Sequence, residues 1–185
     1  MASNDTALLV VDMLNPYQHK DAQALIESVR HAVPAIQGLV AHAREREVPI
    51  VYVNDNHGDW TATRDTLSER AMSGAQRSLV EPLLPPEDAA FVTKARHSVF
   101  YETPLDYLLR SQRLERIVLA GQVTEQCILY SALDAYVRHY SIVVPRDGVA
   151  HIHRDLADAA LRMMQANMRA RLVACDELFT EASSG

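Results

Sequence analysis

Three side chains in this chain carry the elements of a nucleophilic reaction, and each stands directly behind a short apolar run. Cys127 closes the segment Gly121-Gln122-Val123-Thr124-Glu125-Gln126-Cys127, which follows Arg116-Ile117-Val118-Leu119-Ala120. Asp12 follows Ala7-Leu8-Leu9-Val10-Val11, and Lys94 follows Ala89-Ala90-Phe91-Val92-Thr93. A strand, a glycine turn and a Thr before an amphipathic stretch predict that Cys127 lies in the first turn of a helix. Unpaired backbone N–H groups and the positive end of the helix dipole favour an anion there. The thiol is therefore expected to lose its proton more easily than a free cysteine. By itself the turn leaves two readings open, a small core residue or a nucleophile. Asp12 reads either as a turn residue or as the base that takes the thiol proton and passes it to a leaving amine. Lys94 either reaches solvent or, if buried, pairs with Asp12 and orients it.

The elements that must position these residues alternate along the chain. Apolar runs at 7–11, 49–53, 89–93, 116–120, 141–144 and 171–174 read as strands. Helical spacing marks 21–47, 104–113, 125–138 and 155–168, with Pro34 expected to mark a break or a new first turn within the first of these. Thr103 and Pro104 read as the cap and first residue of the second helix. The stretch 54–87 reads as a functional loop, 54–63, and then one or two helices before Pro82. This alternation implies a parallel sheet covered on both faces. Right-handed crossovers then give a three-layer α/β/α architecture with a mostly parallel, doubly wound (Rossmann-like) sheet of about six strands. In such sheets ligands bind beyond the carboxyl ends of the strands, so Asp12, Lys94 and Cys127 are expected on one rim.

Composition narrows the function classes. With 18 Lys and Arg against 24 Asp and Glu, the formal net charge is −6, and no basic run occurs. Neither nucleic acid nor an anionic membrane is an expected partner. At 185 residues, 48% hydrophobic and 23% charged, the chain reads as a single globular domain spanning 1–185. No stretch resembles a signal peptide or a membrane span, so the expected location is the cytoplasm. Cys127 and Cys175 are expected as free thiols, the latter buried and inert. Thr180–Gly185 reads as a frayed polar tail. His139, His151 and His153 read as structural or exposed, and Met163-Met164 as core or interface.

Three motifs taken together resemble the isochorismatase-like cysteine hydrolases, a family that includes nicotinamidases, N-carbamoylsarcosine amidases and ureido-group hydrolases. They are Val11-Asp12-Met13; Lys94-Ala95-Arg96-His97-Ser98-Val99-Phe100 with Thr103-Pro104-Leu105; and Gly121, Thr124 and Cys127 of the Gly-x-x-Thr-x-x-Cys turn. Asp134-Ala135-Tyr136 and Asp147-Gly148-Val149-Ala150 also resemble family positions, and the likeness runs from Leu8 to Val173. The resemblance implies an isochorismatase-like fold and a triad with Cys127 as nucleophile, Asp12 as base and acid, and Lys94 as charge partner. It further implies a cis peptide at Gln122–Val123, an oxyanion hole from the N–H groups of Val123 and Cys127, and a homo-oligomer, dimer or tetramer. The reaction implied is hydrolysis of a C–N bond in a small amide, ureide or lactam through a thioester. Alternatives are a vinyl-ether hydrolase with Asp12 as acid and a non-catalytic family member, and the three retained residues argue against the latter.

Some relatives hold a metal with Asp-x-His and a second histidine shortly after. Here Asp55-Asn56-His57 is present, but no histidine occurs between Gly58 and Arg96. Neither a metal nor a cofactor is expected, and His57 reads as a hydrogen-bonding or stacking residue of a pocket loop. Asn15, Tyr17, Asn54, His57, Trp60 and Tyr101 are the candidate contacts to a small-molecule substrate. Pro16-Tyr17 departs from the family's usual sequence, and His97 reads as a surface or interface residue.

Overall fold

The structure is a computed structural model that describes residues 5–179. The tail Thr180–Gly185 and the first residues, Met1–Asn4, lie outside the described residues. Strands β1 (Thr6–Val11), β2 (Ile50–Asp55), β3 (Ala90–Lys94), β4 (Arg116–Gln122), β5 (Ser141–Pro145), β6 (Val149–Ala150) and β7 (Arg171–Val173) form one sheet. The spatial order is β3-β2-β1-β4-β5-β7, and every described pairing is parallel. Strand order reverses between β1 and β4, where Val11 stands beside Gly121. That is the switch point at which doubly wound sheets open a crevice for ligands. Asp12 and the turn that carries Cys127 leave the sheet on its two sides.

Alternate residues of the strands feed two cores. Leu8, Val10, Tyr52, Val118 and Ala120 face α1 (Ala22–Glu45), α2 (Arg64–Met72) and α3 (Arg77–Val80). Leu9, Val11, Val53, Ile117 and Leu119 face α4 (Leu105–Ser111), α5 (Leu129–Val137) and α6 (Arg154–Met168). The result is the three-layer α/β/α architecture with a parallel, doubly wound sheet. Cys127 belongs to the second core and Cys175 to the first, and both are free, buried thiols. Met164 is core, whereas Met163 is exposed. Among the described residues no helix is long and apolar enough to cross a membrane.

Two expectations about elements are corrected. Pro34 does not break α1, which runs through it for 24 residues. The proline lies on the exposed side, so the carbonyl it leaves unpaired can take water. The apolar stripe from Leu25 to Ala43 meanwhile packs on the sheet without interruption. The short strand β6 is the other addition. It takes the place beside β4 past the point where the β4–β5 pairing stops, with Gly121 opposite Val149 and Gln122 opposite Ala150.

Candidate active site

Asp12 is the first residue beyond β1 and turns the chain with φ 56°. Asp is one of the few side chains tolerated in this left-handed region. Its N–H donates to the Val53 carbonyl at 2.8 Å, and its own carbonyl accepts from the Gln122 amide. These bonds tie the exit of β1 to β2 and β4. The Asp12 carboxylate is held from both sides: Oδ1 accepts the Asp55 N–H at 2.7 Å, and Oδ2 lies 2.9 Å from Lys94 Nζ.

Lys94 ends the edge strand β3, and its side chain is 0% exposed. A buried ammonium is tolerated only when its charge is met. Here Asp12 meets it, with Asp55 Oδ2 at 3.4 Å and Cys127 Sγ at 3.6 Å. Burial alone would lower the lysine pKa. Asp12 first, then Cys127 and Asp55, outweigh it and leave the ammonium above its ordinary value. Lys94 is therefore a fixed cation throughout the neutral range.

The turn that carries Cys127 is built by close backbone approach. Gly121 has φ 122°, and a Cβ there would lie 2.1 Å from the Val11 carbonyl oxygen, so no other residue fits. The Gln122–Val123 peptide is cis. Gly121 N–H donates to Gly148 O at 2.9 Å, and Thr124 Oγ1 donates to Ala150 O at 2.9 Å. Glu125 Oε1 accepts from the N–H groups of Ile152 and His153 at 3.0 and 2.7 Å, which anchors the turn to the start of α6. The chain then makes a π turn over Thr124–Ile128 before α5 begins at Leu129. Such π turns are frequent at functional sites.

The thiol's acidity is corrected by this geometry. Cys127 is buried at the fourth position of the π turn, not in the first turn of a regular helix. Burial, and then the neighbouring Asp12 carboxylate, push its pKa up, while Lys94 and the Val123 N–H oppose them. A thiol raised in this way favours its protonated form at rest, with Lys94 Nζ 3.6 Å from sulfur. An arrangement of this kind can move a proton from sulfur to carboxylate only as the sulfur begins to bond elsewhere. The cation then faces both the thiolate and the acid.

A cleft of about 830 Å³ opens above this centre, lined by Asp55, His57, Trp60, Arg96, Tyr101 and Glu102, among others. Two of its lining residues, Lys94 and His97, lie 3.6 and 3.8 Å from Cys127 Sγ. His57, Trp60 and Tyr101 of the expected substrate contacts line the cleft. Asn15, Tyr17 and Asn54 do not, because their polar groups are used within the fold. Asn54 bonds Leu14 at both its N–H and its carbonyl (2.9 and 3.2 Å), and Asn15 Oδ1 accepts the Tyr17 N–H at 2.7 Å. Tyr17 is buried, its hydroxyl donating to Gln122 Oε1 at 3.4 Å.

Asp55 and His57 do not fit a metal site. Asp55 is engaged by Lys94 and by the His57 N–H at 2.8 Å, and His57 Nε2 lies 3.2 Å from the Leu14 carbonyl. Among the described residues no three ligating side chains converge. Sequence reasoning assigned Asp55 no part in holding Lys94, although its place at the end of β2 was a signal. His97 is exposed, as the sequence suggested, but sequence reasoning gave it no place near the thiol. The structure puts its Nδ1 3.8 Å from Cys127 Sγ, with the ring against Tyr130 at a centroid distance of 5.3 Å. The loop that carries His97 is pinned to α5 by the Val99 N–H, which donates to Ser131 Oγ at 3.0 Å.

With this arrangement of strand ends in view, comparison with known proteins is informative. The isochorismatase domain matches residues 6–175. The chain belongs to the isochorismatase family. It is 34% identical over 165 residues to the isochorismatase-family protein YaaI of Bacillus subtilis, an alignment covering 89% of this chain and 91% of that one. It is 28% identical over 163 residues to the maleamate amidohydrolase of Pseudomonas putida, covering 84% and 76%. The N-carbamoylsarcosine amidase of Thermoplasma acidophilum superposes with a TM-score of 0.70 at 25% identity, covering 94% of this chain and 98% of that one. Two of these isochorismatase-family relatives thus bear the names of enzymes that open a C–N bond outside peptides.

Proposed function

We propose that this isochorismatase-family protein is a cysteine-dependent amidohydrolase that opens a non-peptide C–N bond of a small amide, ureide or lactam. One observation carries the reading: a single buried cation joins the Cys127 thiol to the Asp12 carboxylate, with Lys94 Nζ 3.6 Å from sulfur and 2.9 Å from Asp12. The maleamate and N-carbamoylsarcosine relatives supply the reaction class.

In this reading Sγ attacks the carbonyl carbon as its proton passes to Asp12. Charge on the carbonyl oxygen is met by the N–H groups of Val123 and Cys127. Val123 stands immediately before the π turn whose fourth residue is Cys127, which supports its part in such a hole. A donor of this kind contributes about 3 kcal/mol to the transition state. Asp12 then gives its proton to the departing nitrogen, the C–N bond breaks, and a thioester remains on Cys127 for water to cleave. A vinyl-ether hydrolase using Asp12 as acid would leave the thiol without work.

A homo-oligomer, dimer or tetramer, is part of the proposal. The exposed stripe Tyr130, Leu133 and Val137 on α5 supports it, and light scattering on the purified protein tests it. Two free thiols on opposite faces of the sheet fit a reducing compartment such as the cytoplasm. The function itself is tested by ammonia release from a panel of primary amides, ureides and carbamoyl compounds. Turnover should appear with the native chain and vanish with Cys127→Ala. Undiminished turnover in the variant overturns the mechanism.

A further inference from the structure

At the end of the sheet opposite Cys127, three parallel strands begin side by side. Arg116 opens β4, Ser141 opens β5 beside it, and Arg171 opens β7 on the far side of β5. Helices α5 and α6 return to these strands through left-handed turns at His139 and Arg169. All five residues line one cavity of about 510 Å³, a volume within the range of small-molecule sites. The length of β4, about 20 Å, separates it from the turn that carries Cys127. Three guanidinium groups and an imidazole thus share a cavity in a chain of net charge −6, and among the described residues no carboxylate lines it. Two carboxylates touch its lining: Asp5 lies 3.6 Å from Arg116, and Asp106, paired with Arg110, accepts from the Tyr140 hydroxyl. Among the described residues the side chains of Arg169, Arg171 and His139 have no hydrogen-bond or ion-pair partner. They do not serve as helix caps either, because backbone N–H groups take that part: His139 donates to Tyr136 O, Tyr140 to Ala135 O, and Arg169 and Ala170 to Met164 O.

We propose that this cavity binds a phosphate monoester with an aromatic or apolar body, at a site separate from the cleft and independent of the cysteine reading above. Guanidinium groups match phosphate oxygens in pairs, and a monoester brings three such oxygens with about 1.5 to 2 negative charges. A carboxylate brings two oxygens and one charge, which leaves most of these donors unused. Tyr136, Ile142, Val143 and Met168 form the rest of the wall, and the body of the ester covers them. Inorganic phosphate alone would leave that wall wet.

The test is isothermal titration calorimetry of the native chain at about 0.15 M salt. The probes are adenosine monophosphate and phenyl phosphate, each beside its phosphate-free counterpart, adenosine or phenol. One ester per chain should bind, and the phosphate-free compounds should bind at least about tenfold more weakly. Arg171→Gln should lower the affinity about tenfold, and Arg169→Gln added to it about a hundredfold in all, the scale of one and two charged hydrogen bonds. Both positions are exposed, so neither change disturbs a core. Arg96→Gln, in the cleft, should leave the affinity for the esters as it is. A native chain that binds neither ester overturns the inference, as does undiminished binding in the double variant or equal binding of adenosine and its monophosphate. Binding lost in Arg96→Gln instead places the anion in the cleft and overturns it too.

Discussion

Lys94 Nζ stands 2.9 Å from Asp12 Oδ2 with no part of the lysine side chain in contact with water. A charge so placed persists only because its partner is there, and the partner is itself fixed by the turn after β1. The edge strand β3 and the central strand β1 are thereby coupled across β2, at the rim where Cys127 approaches.

Lys94→Met is expected to leave Asp12 and Asp55 facing each other without a cation. The loss of stability should be about 3 kcal/mol, the scale for breaking a buried pair from one side. Urea unfolding measures it. Adding Asp12→Asn to that variant should recover part of the stability and none of the turnover. Equal stability of native and Lys94→Met proteins would remove the pair from the structural account.

The layer order, the parallel sheet and the three rim residues were legible because each follows from local pattern: apolar runs, helical spacing, and polar residues just past strand ends. The site's finer chemistry was not. His97 has an ordinary loop sequence around it, and only the packing of that loop on Ser131 and Tyr130 turns it toward sulfur. The thiol's acidity was misjudged because a helix dipole can be inferred from sequence, whereas burial and the facing Asp12 carboxylate depend on how distant strands end. Asn15, Tyr17 and Asn54 were read as substrate contacts, but their polar groups bond within the fold, Asn54 to Leu14 and Tyr17 to Gln122, where only the tertiary packing of β1, β2 and β4 could put them.

Gly121→Ala should be the most damaging single-methyl change in the protein. The added Cβ would meet Val11 O at 2.1 Å, with φ 122° unfavourable for any side chain. The clash is between backbones of the two central strands, so no rotamer change relieves it. A destabilisation above about 4 kcal/mol is expected, read as loss of soluble protein or of the circular-dichroism unfolding transition. A Gly121→Ala protein with native stability would contradict the described β1–β4 approach.

Stability should decline as pH rises above about 9. Burial pushes the thiols of Cys127 and Cys175 above their ordinary value of 9.0, helped in each case by a nearby carboxylate. Above that pH the unfolded chain sheds thiol protons that the folded chain retains. The folded state then binds more protons, and unfolding becomes easier with each further rise. Lys94 acts in the same direction above 10.5, because its folded pKa is raised as well. Below pH 9 these groups contribute no slope. Urea midpoints from pH 7 to 10 should show this, and Cys175→Ala should flatten the alkaline decline without touching the candidate active site.

Trp60 offers the clearest separation of cleft from core. It is 84% exposed and lines the cleft beside His57, on the loop after β2. Its removal therefore opens no cavity in either core, and Trp60→Ala should change unfolding free energy by less than about 0.5 kcal/mol. If the indole forms a wall for the bound substrate, the loss falls on binding. An aromatic contact of about 1 kcal/mol corresponds to roughly a fivefold rise in KM. The chemical step, set by Cys127, Asp12 and Lys94 behind the cleft, should keep its kcat. Steady-state kinetics on whichever amide the ammonia screen selects will show the split. An unchanged KM would mean that Trp60 faces solvent or a neighbouring molecule and that the substrate sits deeper, against His97 and Lys94.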